Sequence, residues 1–494
     1  MGIKVTSLIP DDAHTIVHIL RAANPETLQR IAQRTGAGEQ WLSSDFKGEV
    51  GDVLPIYSGG QRHLLLGVGA TATFPDVQRG FRQLAIRWGK LCKDGLVLDW
   101  LSGDAPESYE EAIEAAVSGL YKGSYQAGKY KSEGMAATAG VPALFFESVH
   151  ICVPELQLEH CRLAAERSAI IAQTQLRIMD LVNAPSNFLR PADLGKWALA
   201  SAQQYAYKAE AWGQEQITSA GMKALLAVNQ GSAEPASFIV SFYEPEEAGD
   251  YPLVALVGKG VTFDTGGVSI KPSANMHYMK TDMGGAAAAL GTLEAAARLK
   301  LPVRLAAIVP ATENCVDARA VKPGDVIGSY AGKTIEVIDT DAEGRLILAD
   351  ALSYAVRQLK PAVVIDLATL TGSAVRTLGY AAAALFTNND QLADQLYQAG
   401  WQCGERLWRL PLWDVYKDDI TSEVADLRNF SGKPTAGAIS AAKFLEVFTD
   451  NHPSWAHLDI AGVAYAEGDG NGGKLASAYG IRLLIGYLEK MSRQ

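Results

Sequence analysis

No run among the 494 residues approaches the roughly 18–20 consecutive apolar residues of a membrane span. The opening stretch, MGIKVTSLIPDDAHTIVHIL, holds no apolar core of signal-peptide type. It does fit a short acylation pattern through Gly2 and Thr6, which is too loose to carry a modification by itself. Cysteine is scarce: Cys92, Cys152, Cys161, Cys315 and Cys403 are odd in number and scattered. That spacing excludes a disulfide framework and a C-x-x-C metal site, and it fits thiols kept reduced in a cytoplasmic protein. Basic charge is in deficit, with 44 Lys and Arg against 55 Asp and Glu, a net charge of −11 and an isoelectric point near 5.3. This argues against a nucleic-acid surface as the main business of the chain.

Several catalytic signatures are also missing. There is no H-E-x-x-H, which removes a mononuclear zincin, and no G-x-S-x-G elbow of a serine hydrolase. Gly258-Lys-Gly260 would need glycine at 263 to make a dinucleotide loop, and that residue is Phe263. A phosphate-binding P-loop fails for want of a Lys followed by Ser or Thr in register. Of the eight histidines (His14, His18, His63, His150, His160, His277, His452 and His457), only His277 falls near a charged knot, where it reads as a loop residue. His457 sits in an apolar strand and reads as a core histidine.

What is present is a composition ordinary for globular proteins, with 48% hydrophobic and 20% charged residues. Strand and helix patterns alternate. Arg62–Val68, Gly95–Leu101 and Ala143–Val153 read as strands, and Asp76–Lys90 and Tyr109–Tyr121 as amphipathic helices. A long helical pattern runs from Leu156 to about Val182 and breaks at Asn183-Ala-Pro-Ser-Asn187. Beyond it, strands over Ala236–Phe242, Leu253–Val257, Val303–Val309, Thr334–Ile338, Ala362–Leu367 and His457–Ile460 alternate with helices, among them Gly284–Leu299 and Leu346–Gln358. The expected fold is α/β in two domains, the larger with a mostly parallel sheet flanked by helices. The boundaries fall at 1–155 for a smaller α/β domain, 156–185 for a linking helix and 186–494 for the larger domain.

Two charged knots stand at strand ends. Val257–Gly285, VGKGVTFDTGGVSIKPSANMHYMKTDMGG, carries Lys259, Asp264, Lys271, Lys280 and Asp282 among glycines. Asp339-Thr-Asp341-Ala-Glu343-Gly-Arg345 follows a short strand and opens a helix. Each acid alone reads as a solvated loop residue. Four carboxylates gathered in one place repel one another, and one or two divalent cations resolve that. A histidine-free set of this kind suits Mn²⁺ or Mg²⁺, and Zn²⁺ where it is available.

VGKGVTFDTGGVSIKP, MKTDMGGAAA and TDAEGRLILADAL resemble the signature segments of the leucyl aminopeptidase family of dinuclear metallopeptidases. Similar segments flank them at Asp180–Asn187, Gly221–Gly231, Leu367–Gly372 and Ala456–Gly462. The resemblance runs from about Cys161 to the end of the chain. It implies release of N-terminal amino acids, leucine-like and bulkier, from peptides with a free terminal amine, by a hydroxide that two metals activate. Asp264 and Glu343 would bridge two divalent ions, Mn²⁺ or Zn²⁺ with Mg²⁺ as a third choice. Asp341 would complete one ion's shell, and Lys259 and Asp282 the other's. Lys271 would be the electrophile. Arg345 would hold a bicarbonate that serves as base.

By the same resemblance Met279, Thr369, Ala461 and Ala464 would line the pocket for the first side chain, Ala464 standing where relatives can carry methionine. The N-terminal domain would help to assemble a homohexamer. Two departures stand out: Asp339 replaces a usual asparagine, and Ala476-Ser-Ala-Tyr-Gly480 replaces an Ala-Thr-Gly segment. Rival readings are a DNA-binding member of the family and another dinuclear-metal hydrolase such as a deacylase.

Overall fold

The computed structural model describes residues 2–127, 129–130, 145–467 and 474–492. The chain divides into two compact units that adjoin in sequence at Arg177 and Ile178, within the helix Leu158–Asn183.

The first unit is built on a six-stranded sheet. Its strands are β1 (Gly2–Thr6), β2 (Thr15–Leu20), β3 (Val53–Ser58), β4 (Gln61–Gly67), β5 (Leu96–Asp99) and β6 (Ser148–Cys152), in the order β1-β6-β5-β2-β4-β3. All pairs are parallel except the β3–β4 hairpin. The helices Phe74–Trp88 and Tyr109–Ser124 pack together. Each begins at a hydroxyl residue: Ser108 Oγ accepts from Glu111 N, whereas at Thr73 the Asp76 carboxylate reaches back to accept from the Thr73 N–H and hydroxyl. The strand expected over Gly95–Leu101 stops at Asp99, because the Asp99 carboxylate captures the N–H groups of Leu101 and Ser102 and turns the chain. The strand expected over Ala143–Val153 occupies Ser148–Cys152, and positions 143 and 144 lie outside the described residues.

The second unit carries the nine-stranded sheet. In chain order its strands are β7 (Lys208–Trp212), β8 (Ser237–Tyr243), β9 (Leu253–Gly258), β10 (Gly260–Asp264) and β11 (Arg304–Asn314). A small side sheet takes β12 (Val326–Gly328), β13 (Thr334–Glu336) and, later in the chain, β17 (Leu427–Arg428). The main sheet is completed by β14 (Val363–Ala368), β15 (Ala383–Thr387), β16 (Leu407–Arg409) and β18 (Trp455–Asp459). Its order is β16-β15-β18-β14-β9-β11-β8-β7, with β10 paired to β11.

The central strands β18, β14, β9 and β11 are mutually parallel, so their carboxyl ends share one edge. Both faces of the sheet are covered. Ala255 and Val257 of β9 and Ala306 and Ile308 of β11 pack with Leu346, Leu348 and Leu352 in one core. The intervening residues of those strands turn to the other face, on which the alanine-rich helix Gly284–Leu299 lies.

Two expectations change here. The glycine-rich segment after β9 contains a further strand, β10, whose register against β11 shifts between Val261 and Asp264. That bulge re-aims Asp264. The helix expected over Leu346–Gln358 spans Gly344–Tyr354 and ends in a π turn, Ala355–Leu359, before Lys360 adopts a left-handed conformation with φ of 48°.

Candidate metal centre and active site

Four strand ends bring the charged residues together, at the edge where open α/β sheets bind ligands. Lys259 follows β9 and is pinned through its backbone: its N–H donates to Leu367 O at 3.0 Å, and its carbonyl accepts from Ala286 N at 2.8 Å. The side chain is buried. Its Nζ lies 2.7 Å from Asp282 Oδ2, 2.8 Å from Glu343 Oε1 and 3.0 Å from Thr369 O. Gly344 makes this approach possible, since a Cβ there would stand 2.6 Å from Lys259 Cε.

Asp264 ends β10. Its Oδ1 accepts from Gly266 N and Asn314 Nδ2, each at 2.8 Å, and its Oδ2 lies 2.8 Å from Lys271 Nζ. Lys271 also pairs with Asp341. Gly266 has φ of 86°, and a Cβ on it would come within 2.9 Å of Asp341 Oδ1, so both backbone angle and space select glycine. Asp282 is buried and accepts from Thr369 Oγ1 at 2.6 Å.

Donor atoms of Asp264, Asp341 and Glu343 all lie within 4.8 Å of one another. With Asp282 they make four carboxylates against two ammonium groups, an excess of two negative charges when all are ionised. The protonation equilibria carry that excess. Burial pushes Asp282 up to about 8 and Asp341 up to about 7, and the neighbouring Asp264 adds to both. Glu343 is also raised, by burial and by Asp264. Burial opposes charge on Lys259 and Lys271, yet the surrounding carboxylates outweigh it and raise both. Glu343 Oε2 is buried and has no hydrogen-bond partner among the described residues. A desolvated oxygen without a donor, inside a cluster with surplus negative charge, fits a divalent cation.

A cavity of about 610 Å³ opens over this cluster. Met279, Thr369 and Ala461 lie on its wall. Ala464 is buried behind them, against Gly284: a Cβ on Gly284 would lie 3.2 Å from Ala464 Cβ and 3.4 Å from Thr369 Cγ2. Arg345 is buried at the cavity, its Nη1 donating to Asn429 O at 2.7 Å while its Nε has no partner among the described residues. Burial lowers Arg345 to about 10, against the pull of Glu343, Asp339 and Asp459.

Asp339 turns its Oδ1 back to accept from Asp341 N at 2.9 Å, and so shapes the loop that presents Asp341. His277 is exposed, its ring tilted against that of Tyr278, while His457 is buried in β18 with Nδ1 hydrogen-bonded to Asp366. Lys280 turns away to donate to Asn183 O. All five cysteines are free.

Sequence reasoning passed over three supporting residues. Asn314, at the end of β11, orients Asp264 and donates to Thr340 O. Asn429, fully buried, accepts from Ile338 N and donates to the carbonyls of Asp339 and Ala342, fastening the second knot. Asp459 accepts from Leu370 N, Thr371 Oγ1 and Ala461 N, which holds two pieces of the wall together. The signal available for Asn314 and Asp459 was a polar residue closing an apolar strand. Asn429 lies in a stretch without periodicity.

The model of the cytosol aminopeptidase family catalytic domain matches residues 177–485. A probable cytosol aminopeptidase of Chlorobium phaeobacteroides is 42% identical over 465 residues, 90% of each chain. Another, from Chlorobium luteolum, is 43% identical over 491 residues, covering 96% of this chain and 94% of the relative. Among solved structures, the bottromycin maturation enzyme BotP in complex with Mn superposes with a TM-score of 0.84 at 32% identity, covering 97% of this chain and 100% of its own. With its carboxylate cluster at the carboxyl edge of a mostly parallel sheet, the chain belongs to the cytosol aminopeptidase family, hydrolases of the leucyl aminopeptidase type that act as metal-dependent exopeptidases.

Proposed function

We propose that this chain removes leucine-like and bulkier N-terminal residues from peptides, with Asp264, Asp282, Asp341, Glu343 and neutral Lys259 holding two divalent ions. The observation that carries the reading is the surplus of carboxylates at one cavity, Asp264, Asp282 and Glu343 buried and Asp341 exposed, with donor atoms of three within 4.8 Å and a Glu343 Oε2 that has no partner among the described residues. When bound, the ions supply an activated water and draw electron density from the peptide carbonyl.

The chain's own groups do the rest. Asp282, steadied by Thr369 Oγ1, receives the terminal amine of the substrate. Lys271 turns its ammonium to the carbonyl oxygen as negative charge develops there. Arg345, with a free Nε, would hold the bicarbonate that serves as general base. The C–O bond forms first and leaves negative charge on the carbonyl oxygen beside Lys271; as the C=O double bond re-forms the C–N bond breaks, and the proton given up by water goes to the leaving amine.

The small Ala464, buried behind the cavity wall near Gly284, stands where relatives can carry the larger methionine, which supports acceptance of leucine and larger side chains. A series in which kcat/KM falls from alanine through leucine to phenylalanine would contradict that preference. The free-amine requirement is tested with leucine anilide and its N-acetyl derivative on metal-loaded enzyme. Cleavage of the first alone is expected. Equal cleavage of both would favour a deacylase.

A further inference from the structure

The cations around the cavity are not equally spent. Lys259 is matched by Asp282 and Glu343, and Lys271 by Asp264 and Asp341. Lys433, on the outer wall, pairs with Asp419. Arg345 is buried and bonded to Asn429. Arg376 differs. It lies on the cavity wall in the helix Gly372–Leu378, is exposed, and has no ion pair or hydrogen bond among the described residues. Its guanidinium lies along the first turn of that helix, since a Cβ on Gly372 would stand 3.4 Å from its Nη1.

The chain itself sets the distance from the chemistry. Thr369, at the end of β14, touches both Lys259 and Asp282. The helix starts three residues later, and Arg376 lies about 6 Å along its axis from Gly372. An extended peptide advances about 3.3 Å per residue. Arg376, its guanidinium folded back toward Gly372, lines the same cavity as Asp282 and Thr369, so a peptide whose first residue sits at Asp282 runs on through a cavity that this cation borders.

We propose that Arg376 binds a carboxylate on the leaving-group side of the substrate. The inference rests on the aminopeptidase reading above. A planar guanidinium with no acid of its own is matched to a carboxylate, which it can grip with two parallel hydrogen bonds. Two sources carry that group: the terminal carboxylate of a di- or tripeptide, or an acidic side chain at the second residue. Either makes Arg376 a specificity residue for short or acidic peptides.

The test compares matched pairs on the full-length, metal-loaded enzyme: Leu-Gly with its amide, Leu-Gly-Gly with its amide, and Leu-Asp-amide with Leu-Asn-amide. The readout is the ratio of kcat/KM within each pair, for the wild type, Arg376→Met and Arg376→Glu. We expect a preference for the carboxylate of about tenfold in at least one pair of the wild type. It falls to near one in Arg376→Met and below one in Arg376→Glu, and the pair that responds names the source. Ratios that are the same in the wild type and Arg376→Met for all three pairs would overturn the inference. If the wild type cleaves none of the six peptides, the aminopeptidase reading fails and takes this inference with it.

Discussion

Each unit of the molecule buries a cluster of titratable groups, and the two clusters are built in opposite ways. In the first unit one carboxylate, Asp99, is supplied with donors from every side. Its Oδ1 accepts from Leu101 N and Ser102 N, and its Oδ2 faces His18 Nδ1 at 3.0 Å and Arg34 Nη1 at 3.3 Å. His18 Nε2 in turn meets His63 Nδ1 at 3.0 Å. Against the cost of burial, His18 and Ser102 hold Asp99 down to about 2. In the second unit the same cost is not met: acids outnumber lysines, and Asp282, Asp341 and Glu343 are all pushed up. A buried polar cluster whose charges balance is a piece of architecture. One left with surplus charge of one sign asks for something from outside the chain.

The largest effect is expected at the cluster with surplus charge. Replacing Lys271 with alanine should lower kcat on leucine anilide by roughly 10²–10³-fold, the loss typical of one preorganised charge donor. Metal content measured on the purified variant should stay as in the wild type. A variant with wild-type kcat would remove Lys271 from the chemistry.

From the architectural side, Asp99→Ala should cost about 3 kcal/mol, because it leaves His18 and Arg34 without their buried acid. Urea unfolding followed by hydrogen exchange of the β2 and β5 peptides reports this directly. An unchanged midpoint would mean that the cluster contributes nothing to stability.

Acid separates the clusters more gently. Burial, followed by His18 and Arg34, lowers His63 from 6.5 to about 4. Between those values the unfolded chain binds a proton that the folded unit refuses. Stability from this group is therefore complete above pH 6.5 and drains away as the pH falls toward 4. Asp99, lowered from 3.8 to about 2, loses its own contribution over the next two units of acid. Protection of β2 and β4 against exchange should thus weaken below pH 6.5, and His63→Gln should flatten the decline between 6.5 and 4. A slope unaltered by that substitution would assign the acid sensitivity elsewhere.

The smallest effect belongs to Asp339→Asn. Asparagine keeps an oxygen for the Asp341 N–H and removes one partly exposed negative charge beside the cluster. Mn²⁺ affinity by calorimetry should weaken by about two- to fivefold. No change would mean that solvent screens Asp339 fully.

Much of this was legible in the chain because the acids stand next to features with strong local signals. Asp264, Asp282, Asp341 and Glu343 each lie within three residues of a glycine at a strand end or helix start, and alanine density marked Gly284–Leu299 at its observed limits. The strand β10 was hidden because its glycines and charges read as loop, and only pairing with β11, fifty residues away, makes it a strand. Asn429 was hidden for a related reason: it acts through backbone groups of a segment some ninety residues earlier, and no local pattern encodes such a partner. Arg376 shows the opposite limit. Its sequence context is an ordinary exposed helix, and its interest lies in the acid that no element among the described residues brings to it.

The surplus of carboxylates at the cavity is tested most directly by counting what it holds. The enzyme would be stripped with a chelator, then titrated with Mn²⁺ while bound metal and leucine anilide hydrolysis are measured together. The account predicts no activity in the stripped protein and saturation at two ions per chain, with Glu343→Ala binding fewer. Full activity in the stripped protein, or unaltered metal binding in Glu343→Ala, would contradict it.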